Sequence, residues 1–314
     1  MADLRRRRPS GDERAQIMLV AGFVLAVSFI ALAVMLNSVI YTENLATRGE
    51  DARGSEGIAY RADMVQGTEQ LIEHVNVNRT GEPFDDHVTN LNRSIDAMGN
   101  GTAPIIATGG IRTQVSLMSV TQGTRIGQFN ASRNFTNVNG HPDWELADNI
   151  EGTRAFRINI TDSASLLDGF PVGSNPFTVR VDGASDWVVR IYEDDISDDV
   201  IVDVDGVGEC RADSKPVIDL TSGTIDGEPC EHLSFGEGVS PTYSLHFENA
   251  DNIKGNFSVV VDSTDFDGNN YTPDTDDPFA DPEAIYAATI HVLHESASHV
   301  YATDARAVPG ENDA

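Results

Sequence analysis

Twenty consecutive residues, Ile17 to Leu36, carry no charge and include twelve Leu, Ile, Val or Phe side chains; the uncharged stretch around them runs from Ala15 to Ile40. At about 1.5 Å per residue, a helix of that length matches a hydrocarbon core of roughly 30 Å. The run exceeds the roughly 7 to 15 apolar residues of a cleavable secretory signal, and Asn37-Ser38-Val39-Ile40-Tyr41 offers no convincing cleavage site. It reads as a membrane-spanning helix. Arg5, Arg6, Arg7, Arg8 and Arg14 precede it, whereas Glu43, Arg48, Glu50, Asp51 and Arg53 nearly balance behind it. The bias places the N-terminus in the cytoplasm and the body outside the cell, as a single-pass protein of the cell membrane.

That body is strongly acidic. Of the 314 residues, 50 are Asp or Glu and 21 Lys or Arg, for a net charge of −29. Such a field repels phosphate backbones and argues against a nucleic-acid partner. Only Lys215 and Lys254 are lysines. Acid-rich, lysine-poor composition resembles that of proteins working in molar salt.

Arg14-Ala15-Gln16-Ile17, between a basic leader and the apolar helix, resembles the class III signal of haloarchaeal type IV pilins and related surface proteins. The resemblance covers roughly the first 40 residues. It implies cleavage between Ala15 and Gln16 and packing of the freed helix with other pilin-like subunits. Val20 stands at the fifth mature position, where many bacterial pilins have Glu, and the body is larger than that of a typical major pilin. Both features favour a minor-pilin-like role. An uncut signal anchor is the alternative reading of the same residues.

Beyond the span, Ile58, Ala62, Val65 and Ile72 suggest one helical face, in a stem expected to bend at Gly49, Gly54, Gly57 or Gly67. Phe84, Val88, Leu91, Ile95 and Met98 predict a second helix, with Pro83 in its first turn and Gly99 at its end. After Gly101 the period becomes two: Phe156, Ile158 and Ile160, then Phe177, Val179 and Val181, alternate with polar residues. Asp182-Gly183, Asp205-Gly206 and Asp267-Gly268 are turn signals. The fold class expected is α+β, an N-terminal transmembrane and stem helix followed by an antiparallel β-rich ectodomain, either a sandwich or a pilin-like sheet. Its parts are a leader (1–15), a transmembrane helix (16–40), a helical stem (41–100), an acidic β-rich ectodomain (101–308) and a disordered tail (309–314). Gly123-Thr124-Arg125 recurs as Gly152-Thr153-Arg154, a match too short to indicate duplication.

Cys210 and Cys230 are the only cysteines. Outside the cell a disulfide is the default, closing a loop of about 21 residues for about 3 kcal/mol in the chain-entropy model. Eight sequons follow the span, at Asn78, Asn92, Asn100, Asn130, Asn134, Asn159, Asn256 and Asn270, more than composition generates, and they point to a glycosylated exterior. No nucleophile elbow, phosphate loop or dinucleotide fingerprint is present, and no cofactor or enzymatic activity is expected. His291, His294, Glu295 and His299 read as strand histidines around a two-residue hairpin at Ser296-Ala297, where a metal clip between His294 and His299 is the rival reading. Ser263, Asp265, Asp267 and Asp274, with Gly268 at the sixth place, imitate the spacing of a calcium loop, although Ser replaces the first Asp and Asp the final Glu. The expected function is structural: a surface protein assembling with, or tethered beside, filaments or envelope, with adhesion a further role. The alternative is a membrane-anchored extracellular module binding glycans, ions or solutes.

Overall fold

Two antiparallel sheets and a helical hairpin make up most of residues 55–169, 175–240 and 242–310, which the computed structural model describes. The chain divides into a unit of Met1–Ala59 and a unit of Tyr60–Ala314. The processing residues Arg14, Ala15 and Gln16, the apolar run, Gly49, Gly54 and positions 311–314 lie outside the described residues. No described helix is long and apolar enough to cross a membrane.

Helix α1 spans 55–78 without a break. Its buried face is Tyr60, Met64, Val65, Thr68, Ile72, Val75 and Asn76, while Ile58 and Ala62 are exposed. The expected stripe was therefore out of phase over the first turns. Two polar residues belong to the buried face because their groups are satisfied, Thr68 donating to the Met64 carbonyl and Asn76 bonding the sheet. Gly67 does not bend the helix. A Cβ there would lie 2.6 Å from Met98 Sδ, so the glycine is a notch for helix α2 (Phe84–Ala107). Helix α2 buries Leu91 and Ile95 as the spacing predicts, and His87, which the spacing does not include, with Pro83 at its N-cap. Gly99 does not end it: the helix runs eight residues further, and a Cβ at Gly99 would meet Val115 Cγ1 at 2.6 Å. Both glycines serve close approach, which sequence alone confuses with helix breaking.

The strands are β1 (Arg112–Gln128), β2 (Trp144–Ile150), β3 (Thr153–Ile160), β4 (Phe177–Asp182), β5 (Trp187–Glu193), β6 (Val200–Val204), β7 (Gly208–Ala212), β8 (Val217–Asp219), β9 (Thr224–Ile225), β10 (Glu228–Pro229), β11 (Tyr243–Glu248), β12 (Gly255–Val261), β13 (Phe279–Glu295) and β14 (Val300–Ala307). One sheet has the order β10-β9-β8-β3-β12-β1-β13-β14, the other β2-β11-β4-β5-β6-β7. Between them lies an aromatic core in which Phe135, Phe156, Phe177, Phe247 and Phe257 are fully buried. Phe247 stands 5.0 Å from Phe257 and 5.1 Å from Phe177, edge to face. This is the dry face that the alternation in β3 and β4 predicts.

The larger sheet is covered on its other side too. Tyr60, Met64, Ile72, Leu91 and Ile95 of the helices pack on Val115, Ile285, Ile290, Val292, Ala305 and Ala307. Each fully buried Ile or Leu there contributes roughly 1.5–3 kcal/mol. Strands β1 and β13, seventeen residues each, pair along most of their length through three register shifts and so belong to both cores. The segment of β13 from Asp281 to Ile285 also holds the helical turn. Asp281 accepts from the Gly81 N–H, and Glu283 accepts from Phe84 N–H at the start of α2. The stem thus runs past residue 100 and is docked on the sheet. Pro309, expected in a loose tail, is buried.

Candidate functional site

The repeated Gly-Thr-Arg tripeptides lie on either side of one strand. Strands β1 and β3 both run antiparallel to β12, so Arg125 and Arg154 flank Val260 in register, while Thr124 and Thr153 flank Val261. Val259 and Val261 enter the sandwich core, so Val260 and its two neighbours lie on the side facing α1. Arg125 reaches that side by ordinary alternation with Ile126. Arg154 does not: it shares the parity of Phe156, Ile158 and Ile160, all in the sandwich core. A register shift opposite Ser258 and Val260, with Ala155 at φ +50°, reverses it. Such a bulge re-aims one side chain.

The glycines of the two tripeptides make room for Tyr286. A Cβ at Gly123 would lie 2.9 Å from Tyr286 Cβ and 2.2 Å from the Val261 carbonyl oxygen; one at Gly152 would lie 2.3 Å from Tyr286 Oη. The Arg154 guanidinium stands 5.5 Å from the Tyr286 ring centre.

Both arginines are buried, Arg154 at 2% exposure and Arg125 at 5%. Arg154 Nη2 donates to the Ile285 carbonyl at 2.6 Å and Nη1 to the Pro309 carbonyl at 3.4 Å, and its Nε has no acceptor. Arg125 Nη1 donates to Thr80 Oγ1 and to the Asn76 carbonyl, in the last turn of α1. Its guanidinium lies 5.0 Å over the Phe129 ring. Among the described residues neither arginine forms an ion pair; the buried Asp281, in register beside Arg125, acts on it most strongly, Tyr286 and Glu69 act on Arg154, and Glu73 acts on both through space. Burial disfavours the charged form of each and lowers Arg154 to about 10. Arg157, ion-paired to Asp219 at 2.8 Å, adds a third guanidinium. With Glu73, Asn76, Val77 and Ser258 these residues line a pocket of about 180 Å³.

The residues singled out from sequence lie elsewhere. Cys210 and Cys230 are disulfide-bonded, with Cα atoms 6.1 Å apart. The bridge joins β7, the edge of the smaller sheet, to the residue after β10, the edge of the larger, and so closes the sandwich on one side. Asn78, Asn92, Asn100 and Asn130 are exposed, whereas Asn134, Asn159, Asn256 and Asn270 are half-buried. Asn134 donates to the Asp251 carbonyl and Asn270 to that of Glu145, while Asn159 and Asn256 oppose each other across β3 and β12.

The calcium-loop residues are each engaged with separate partners. Ser263 Oγ donates to the Asp148 carbonyl, Asp267 accepts from Asn269 N–H, and Asp274 accepts from Asp276 N–H. Asp265 is held by a bridge to Asp148. No group of three or more His, Cys, Asp or Glu among the described residues is arranged to hold a metal ion. The hairpin at residue 296 has a four-residue connection, so His294 pairs with Tyr301 rather than His299, and His291 Nδ1 lies 2.7 Å from Asp304 Oδ1. Asp267-Gly268 opens a short 3-10 turn.

A family of unknown function (DUF7261) matches residues 11–116. No curated protein and no solved structure matches the chain. The stretch similar to that family holds the apolar run, both helices and the first residues of β1, and it ends where the β-rich body begins.

Proposed function

We propose that the chain is a single-pass, pilin-like surface protein: a cleaved or uncut apolar helix in the membrane, a helical stem, and a glycosylated β-sandwich displayed outside the cell. The observation that carries this reading is the Cys210–Cys230 bridge across the two sheet edges. Structural disulfides persist in oxidising surroundings, so the bridge supports an exterior sandwich. The arginine bias before Ile17 supports the same topology independently. The family match, through 11–116, takes in the sequence of both the apolar run and the stem. The role is structural, in or beside a filament or the envelope, with partners recruited through the N-terminal helix.

A second reading, a membrane-anchored extracellular binding module, is favoured by the pocket holding Arg125 and Arg154. Sequencing the N-terminus of protein recovered from native membranes separates the two. A start at Gln16, abolished by replacing Arg14 and Ala15, supports pilin-like processing and assembly. A start within the first few residues rejects it and leaves the anchored module.

A further inference from the structure

We propose that the pocket between α1 and the outer face of the larger sheet binds a small inorganic oxyanion of the phosphate or sulfate type, held between Arg125 and Arg154. In a chain of net charge −29, Arg154 is a buried guanidinium with no carboxylate at ion-pair distance among the described residues, whereas Arg125 stands in register beside the buried Asp281. An uncompensated buried charge costs several kcal/mol even after relaxation, and removing one partner from a buried pair shows that cost directly. Here Arg154 incurs it, with Arg125 across β12.

Packing of α1 accounts for only part of the arrangement. Arg125 satisfies a carbonyl in the last turn of α1, where a cation is also favoured by the helix dipole. Arg154 has five N–H donors, yet the acceptors it meets are the Ile285 and Pro309 carbonyls, and its fully buried Nε has none. A neutral amide could serve those two carbonyls. Moreover, Arg154 faces this pocket only because Ala155, which is not a glycine, adopts a left-handed conformation costing about 1 kcal/mol or more. Strain that turns a charge toward a cavity is explained by a counter-charge in that cavity.

The pocket's chemistry selects the ligand class. Planar guanidinium forks suit oxygen anions with two or more acceptor atoms better than a spherical halide. Arg157 and Ser258 line the same space and add donors. At about 180 Å³ it lies below the roughly 300–1,000 Å³ of organic-ligand sites, which favours an anion of a few atoms. Glu73 lines it too and acts electrostatically on both arginines, which makes its carboxylate the built-in competitor.

The test is equilibrium dialysis of the purified full-length chain in detergent against labelled inorganic phosphate, with ionic strength held constant by chloride. The expected result is saturable binding of one phosphate per chain, displaced by sulfate and not by equimolar chloride. Arg125→Lys, which keeps the charge and loses the fork, should weaken binding by about tenfold. Glu73→Gln, which removes the competing charge and leaves the arginines in place, should tighten it several-fold. Absence of saturable binding, equal displacement by chloride, or an affinity unchanged in both variants overturns the proposal. If Arg125→Lys does not fold, an affinity unchanged in Glu73→Gln overturns it alone.

Discussion

The side-chain amide of Asn76 occupies both hydrogen-bonding positions of Ile285: Nδ2 donates to the Ile285 carbonyl at 2.8 Å, and Oδ1 accepts the Ile285 N–H at 2.9 Å. A residue of α1 thereby acts as one rung of a missing strand, beside the register shifts between β1 and β13. Arg154 adds a second donor to the same carbonyl. Ile285 is fully buried, so in the parent these two groups are screened from bulk solvent.

Asn76→Ala is therefore expected to be among the most destabilising single changes in the stem. The Ile285 carbonyl keeps Arg154, but its buried N–H is left unpaired, which costs roughly 1–3 kcal/mol. Denaturant unfolding of the variant against the parent measures it. A midpoint shift corresponding to less than about 1 kcal/mol would mean that a water molecule enters and accepts the Ile285 N–H.

The disulfide predicts a different signature, because it acts at the open edge of the sandwich. With 20 residues separating the cysteines, replacing both by Ser should cost about 3 kcal/mol in the chain-entropy model. The loss should appear first as faster amide exchange in β7 and β8 to β10, with β1, β12 and β13 still protected. Uniform acceleration across both sheets would show instead that the bridge holds the whole body.

Much of this architecture was legible in residue patterns because it is local. Phe156-Ile158-Ile160 and Phe177-Val179-Val181 each display a dry face within one strand, and Leu91 and Ile95 mark the buried side of α2 within one turn. The misreadings concern features set by distant residues. Gly67 and Gly99 looked like breakers because Met98 and Val115, the groups they admit, lie 31 and 16 positions away. The candidate site had one visible trace, the repeated Gly-Thr-Arg. Its meaning depended on β12 lying between the copies and on a bulge at Ala155, a residue whose identity gives no sign of positive φ.

His87 offers a test in the stabilising direction. It is fully buried on α2, and neither ring nitrogen has a partner among the described residues. A buried polar group without a hydrogen bond costs roughly 1–3 kcal/mol, and an apolar side chain of similar size removes the cost. His87→Leu should raise the thermal midpoint by a few degrees. A lowered midpoint would indicate that an ordered water satisfies the ring.

Salt should stabilise the body. Residues after Arg14 include 16 basic and 47 acidic side chains, and the screening length falls from roughly 10 Å at 0.1 M to 3 Å at 1 M. Self-repulsion among acids weakens over that range, whereas exposed pairs such as Arg112–Glu295 contribute little and lose little. Thermal melts across it should show a rising midpoint, and a flat or falling one would contradict the salt-adapted reading of the composition.

Asp219 sets part of the acid limit of stability. Burial pushes its carboxyl up, but Arg157 at 2.8 Å, the Ser222 N–H and the Thr221 hydroxyl outweigh burial and hold it below the ordinary aspartate value. A carboxylate depressed on folding contributes stability that is present above its unfolded value of about 3.9 and is lost as pH falls through the folded value. Asp219→Asn removes this linkage and leaves the other carboxylates in place, including Glu145, which burial raises. The difference in midpoint between parent and variant should thus stay constant from neutral pH down to about 4 to 5, then shrink below about 3.9. A difference that is already shrinking near pH 6, or that persists unchanged in strong acid, would show that the Arg157 pairing is not what stabilises β8 against β3.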